Sequence, residues 1–138
     1  MKRTIVALLV LCLMVGFCAC GNDAENGNYV KVFLADGNTE TFASSELFNM
    51  ITADAETYNS KYAENPIEMQ STITKVELDY EMLGFIRVTF EDGWNCYIRK
   101  GTPIIDELHR GQNVKVTGYL IRDGYTISGE EITILDQQ

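Results

Sequence analysis

Side chains with reactive chemistry are few in this sequence and far apart. His109 is the only histidine, and no serine or cysteine is spaced with it as a nucleophile, base and orienting group, so acyl transfer has no carrier. Near the end of a short predicted helix, its simplest role is a favourable charge at the helix C-terminus or just a solvated side chain. Cys96 shares its parity with apolar neighbours and reads as a small buried core residue rather than a reactive thiol. The acids Glu91-Asp92, Glu130-Glu131, Asp79 and Glu81 lack the spaced ligands of a calcium loop, and no His/Cys cluster suits zinc. They read as solvated turn residues. The expectation is a protein that is not an enzyme and carries no metal or cofactor. What remains is a close set of cationic, hydroxyl, amide and aromatic side chains, Arg87, Thr89, Asn95, Tyr97 and Arg99. Their chemistry is non-covalent recognition, because Arg and aromatic groups on a rigid surface make binding hot spots. The competing reading is an ordinary solvated face on which Arg87 and Arg99 pair with nearby acids.

These residues need a sheet to hold them, and the stretch Phe85 to Ile98 supplies it. Two runs rich in β-branched and aromatic residues flank Glu91, Asp92 and Gly93, and an Asp-Gly pair in that setting signals a hairpin. A two-residue turn puts the apolar sets of the two strands on opposite faces. A three-residue loop with Gly93 left-handed instead pairs Phe90 with Trp94, Val88 with Cys96 and Ile86 with Ile98. Only the second register builds one apolar face, since a one-residue slip inverts every side chain. Phe85, Arg87, Thr89, Asn95, Tyr97 and Arg99 then share the outer face.

The rest of the chain gives partners for that hairpin. Residues 29–43 read as a short hairpin around an Asp-Gly turn. Ser44 or Ser45 is a candidate N-cap with Glu46 in the first turn, and Leu47, Ile51, Ala55, Tyr58 and Tyr62 form an apolar stripe on a helix running to about Ala63, ended by Asn65-Pro66. Ile67 to Leu78 is a long strand whose apolar parity switches, which a bulge near Thr74-Lys75 reconciles. Thr102-Pro103 opens a helix of about two turns, with Ile104, Ile105 and Leu108 inward and Gly111 as its stop. Asn113 to Ile121 is a strand turning at Asp123-Gly124, with Leu120 opposite Ile127. The strand from Tyr125 to Leu135 changes parity at Gly129, its expected bulge.

From Ile67 onward the order is β-β-β-α-β-β, which suits a mostly β fold: a five-stranded Greek-key OB-fold barrel, with an N-terminal α-helix before strand 1 and a short helix between strands 3 and 4. The helix SSELFNMITADAETYNSKY, the strand IEMQSTITKVE, the NCYI strand with Cys96, ELHRGQNVKVTGYL and the terminal YTISGEEITIL carry a resemblance to the tRNA-anti-like OB-fold family of bacterial lipoproteins. It covers about Ser44 to Leu135. Departures are a helix about one turn longer and Gln70-Ser71-Thr72 where relatives often have Gly. In OB folds the second and third strands, with the loops between strands one and two and between strands four and five, form the usual ligand surface. The resemblance therefore implies a ligand set of Arg87, Thr89, Asn95, Tyr97 and Arg99, flanked by Tyr80 and Tyr125. The family name records a fold analogy and implies no tRNA binding.

The segment before this domain points to a compartment. Lys2 and Arg3 precede an uncharged apolar run, Thr4 to Phe17, too short to span a bilayer comfortably, which reads as a signal peptide over residues 1–19. Phe17-Cys18-Ala19-Cys20-Gly21 resembles a bacterial lipobox, with Phe17 where that motif usually has Leu. The resemblance implies that Cys20 is acylated, palmitate included, and becomes the mature N-terminus. Two or three acyl chains give durable attachment where one does not. An ordinary secretory signal cleaved near Ala19 without a lipid, and an uncleaved membrane anchor, are the alternatives. Residues 20–28 read as a flexible tether, and residues 44–138 as helix plus barrel. Cys96 is then the single thiol left for the folded part, so no internal disulfide forms. Without Lys2 and Arg3, 9 basic residues face 20 acidic ones, a net charge of about −11. This argues against partners bound by phosphate neutralisation. The expected protein is an extracytoplasmic lipoprotein that contacts the membrane through Cys20 and binds a protein, a peptide or an envelope glycan. Single-stranded nucleic-acid binding and a structural or stress-related envelope role are the alternatives.

Overall fold

The computed structural model describes residues 27–78, 84–122 and 124–135. The expected signal peptide, Cys20, most of the tether, Tyr80 and Asp123 lie outside the described residues. Seven strands form one sheet: β1 (Tyr29–Phe33), β2 (Thr39–Ala43), β3 (Pro66–Glu77), β4 (Phe85–Phe90), β5 (Asn95–Arg99), β6 (Asn113–Leu120) and β7 (Thr126–Ile134). Their order is β2-β1-β3-β4-β5-β7-β6, and β6 returns to pair with β3. The five strands from β3 onward therefore close into an OB-like barrel, with β5 and β7 parallel and the other neighbours antiparallel. The hairpin of β1 and β2 extends the sheet beyond the barrel, because β1 pairs with the first half of β3 through Tyr29–Gln70 and Val32–Ile67.

The β4–β5 hairpin has the three-residue loop: Val88 pairs with Cys96, Ile86 with Ile98, and the Phe90 N–H donates to the Trp94 carbonyl at 2.9 Å. Gly93 has φ +96°, a left-handed conformation that a side chain disfavours. Ile86, Val88, Phe90, Trp94, Cys96 and Ile98 are all buried. In β3 the register slips between Ile73 and Lys75, leaving Thr74 as the extra residue. Its first half serves β1 and β6, and its second half serves β4. Val76, beyond the slip, is half-buried, whereas Leu78 is 51% exposed and joins neither face of the core. In β7 the slip falls beside Gly129: Gly118 faces Gly129 while Thr117 faces Glu131, so Glu130 is passed over. Leu120 stands opposite Ile127, as the two-residue turn requires.

The register also sets the slope of the barrel. A path through paired residues Glu77, Arg87, Tyr97, Ser128, Tyr119 and Pro66 crosses all five strands and comes back to β3 eleven positions earlier, ten with the bulged Thr74 set aside. So large a stagger around so few strands tilts each strand steeply.

Helical segments differ most from the sequence expectation. Instead of one helix to Ala63, α1 (Ser44–Ala53) stops at Asp54, and α2 (Ala55–Thr57) leads into a π-helical turn, Tyr58–Tyr62. Asp54 is the cause. Its φ of −149° breaks the helix, and its carboxylate accepts from the Thr57 N–H at 3.2 Å, so it caps the next turn. Ala55 is consequently exposed and drops out of the apolar stripe, whereas the wide turn, closed by Ala63 N–H to Tyr58 carbonyl at 2.9 Å, keeps Tyr58 and Tyr62 both buried. The N-cap position is Ala43, without a side-chain cap, because the Ser44 hydroxyl is turned to Asp92. The expected two-turn helix after Thr102 is a single 3-10 segment, Pro103–Glu107, with Ile105 and Leu108 buried and Ile104 half-buried. His109 lies beyond it, outside any helix.

Candidate functional site

On the outer face of the β4–β5 hairpin, alternation and pairing arrange the expected residues in cross-strand rows. One row runs Glu77, Arg87, Tyr97, Ser128; the next runs Lys75, Thr89, Asn95, Thr126. Side chains directly opposite one another are close enough to interact. Arg87 Nε lies 2.5 Å from Glu77 Oε2, and Lys75 Nζ lies 3.0 Å from Glu77 Oε1. These two cations, Arg87 first, hold the Glu77 carboxyl down to about 2. Arg87 is therefore paired, as the solvated-face reading required. Thr89 Oγ1 donates to Asn95 Oδ1 at 3.0 Å, and Thr74 Oγ1 donates to the Thr89 carbonyl at 3.1 Å. Tyr97 is half-buried, and Arg99, opposite Phe85, is exposed.

The structure thus brings Arg87, Thr89, Asn95, Tyr97 and Arg99 onto one face. Tyr125 is placed differently. Its ring stacks on Phe48 of α1 with centroids 4.3 Å apart and planes at 28°, and its carbonyl accepts from the Asn95 N–H at 2.9 Å. Phe48 also meets Trp94 edge to face at 5.6 Å, and Trp94 Nε1 donates to the Ser44 carbonyl at 2.9 Å. Tyr125 is thereby part of the seat on which α1 rests. His109 is exposed, with Nδ1 3.0 Å from the Arg110 carbonyl; its main-chain N–H donates to Gln112 Oε1 at 2.7 Å, and Gln112 Nε2 donates to the Glu107 carbonyl. Cys96 is fully buried, and burial pushes its thiol up to about 12. Among the described residues no group of three or more His, Cys, Asp or Glu side chains is placed to hold a metal ion, and no helix is long and apolar enough to cross a membrane.

Two arrangements were not foreseen. Asn28 Nδ2 donates to Glu91 Oε1 and, at 3.2 Å, to Asp92 Oδ2, while Ser44 Oγ donates to Asp92 Oδ2 and the Ser44 N–H to the Asn28 carbonyl at 3.0 Å. The turn acids are a clasp, not merely solvated, and no local pattern announces a contact spanning sixty residues. The second is the continuation of the first row: Ser128 pairs onward with Tyr119 of β6, which is 40% exposed. Its outward parity in the strand Asn113 to Ile121 was the available signal. What the face can do chemically is recognise: it offers hydroxyls, an amide, aromatic rings, the charge-balanced Arg87 and the exposed Arg99. Comparison with family models, with curated proteins and with solved structures returns no match.

Proposed function

We propose that this chain is an extracytoplasmic bacterial lipoprotein, attached to the membrane through acylated Cys20, whose OB-like barrel is a non-enzymatic module for binding a protein, a peptide or an envelope glycan. The observation that carries the binding role is the rigid outer face on which Arg87, Thr89, Asn95, Tyr97 and Arg99 converge from two paired strands. The lipobox-like FCACG, the polar stretch after it and the resemblance to tRNA-anti-like lipoproteins support the location. Binding to single-stranded nucleic acid has stacking rings available, but Glu77 neutralises Arg87 and the chain as a whole is acidic.

Two measurements test this reading. Growth with an alkyne-bearing palmitate should label the chain and release it in the membrane fraction, and Cys20→Ser should abolish both; a membrane-free, unlabelled wild-type chain refutes the anchor. Affinity capture with the full chain should recover an envelope component that the combined Arg87→Ala, Tyr97→Ala, Arg99→Ala variant loses. Equal recovery by the variant removes this face as the site.

A further inference from the structure

The row that contains Tyr97 does not end at the hairpin. It passes through Ser128 to Tyr119, so two tyrosines stand on the strands either side of β7 with only a serine between them. Two strand spacings put their attachment points about 10 Å apart. In a steeply sheared barrel a line drawn across the strands runs largely along the barrel axis, so it curves little over this distance. Tyr119 is 40% exposed, and Tyr97 and Ser128 are half-buried, so the row presents a small hydroxyl side chain between two aromatic ones. The adjoining row, Thr126, Asn95 and Thr89, is also made of uncharged hydrogen-bonding groups.

Neutrality is the decisive feature. The two rows carry the charges of Glu77, Arg87 and Lys75 at their β3–β4 end, but the six outward side chains from Thr89 across β5, β7 and β6 are all uncharged, which matches that part of the face to a ligand without charge. Aromatic faces carry partial negative charge and attract the polarised C–H faces of a sugar ring, while Thr, Ser and Asn supply both donors and acceptors for its hydroxyls. A polyanion gains nothing on this strip. Resting on the binding-module reading above, we infer that the ligand is a neutral glycan laid across β6, β7 and β5, with sugar rings on Tyr119 and Tyr97 and a hydroxyl-bearing unit over Ser128. This assigns Tyr119, Ser128 and Thr126 to the site and moves its centre one strand away from the hairpin.

The test is calorimetric titration of the full chain, held in micelles of a sugar-free polyoxyethylene detergent, with cellohexaose, xylohexaose and chitohexaose. Binding of at least one hexasaccharide is expected, changing less than twofold between 50 and 500 mM salt because no ions are released. Tyr119→Ala and Tyr97→Ala should each weaken it by about tenfold, the loss of roughly one stacking contact. Tyr119→Phe and Tyr97→Phe, which keep the ring, should retain it, and Trp94 emission verifies that each variant is folded. Absence of binding to all three sugars, or undiminished binding by both alanine variants, overturns the inference. If the sugars fail while the chain still captures an envelope protein through Arg87, Tyr97 and Arg99, the glycan assignment falls and the binding-module reading stands. If capture fails as well, both fall.

Discussion

Gly118 faces Gly129 at the point where β7 carries its extra residue, and the two backbones come so close that no side chain fits between them. A Cβ placed on Gly118 would stand 2.1 Å from the Ser128 carbonyl oxygen. Gly118→Ala should cost about 3 kcal/mol, the upper part of the range for overpacking a tight core, because the obstacle is backbone and cannot rotate aside. Chemical denaturation followed by Trp94 fluorescence measures it. Cys96, on the neighbouring strand, is equally enclosed. In a chain lacking residues 1–26 it is the single thiol, and with a pKa raised to about 12 and no exposed surface it should resist thiol reagents under native conditions. Labelling should accelerate only with denaturant, in step with unfolding. Rapid labelling of the native protein would contradict the burial.

At the scale of elements, the helix α1 is fastened through Phe48, whose ring meets both Trp94 and Tyr125. Phe48→Ala should lower stability by about 2 kcal/mol and shift Trp94 emission to the red as water reaches the indole. An unchanged spectrum would mean that α1 does not cover Trp94. The barrel was largely legible in the sequence because its determinants are local: parity fixed the hairpin register, the parity switches marked the slips at Thr74 and beside Gly129, and Leu120 opposite Ile127 followed from the turn length. Helical segments were less legible for an equally physical reason. Leu47, Ile51, Tyr58 and Tyr62 keep helical spacing across a break, since Asp54 interrupts the backbone while the wide turn restores the phase, so periodicity alone cannot see the interruption. Among the site residues, alternation sufficed to place Arg87, Thr89, Asn95, Tyr97 and Arg99 together. The stacking of Tyr125 on Phe48 was not legible, because Phe48 comes from an element seventy-seven residues away. Tyr119 was overlooked because its significance depends on the order of β5, β7 and β6 in the sheet.

For the molecule as a whole, the excess of acids makes its response to pH a matter of which carboxylates are paired. Glu77 is held at about 2 against an ordinary 4.5 by Arg87 and Lys75, and Glu40 is lowered by Lys61 and Tyr62. A folded-state value below the unfolded one means that these pairs stabilise the fold above pH 4.5 and that the contribution disappears as pH falls towards 2. Thermal unfolding should therefore show Glu77→Gln melting below the wild type at pH 7, with the two curves converging near pH 2; a constant offset would remove Glu77 from the acid response. The clasp at residue 28 bears on a different property, the path of mechanical load. Tension arriving along the chain from residue 27 meets first the bonds of Asn28 to Glu91, Asp92 and Ser44, and behind them β1, which is hydrogen-bonded on both sides, to β2 and to β3. A strand held on both flanks cannot be peeled from an open edge. The N-terminal end of the described domain is thus built into the sheet, and a tug applied there must break two ladders together before it reaches the barrel.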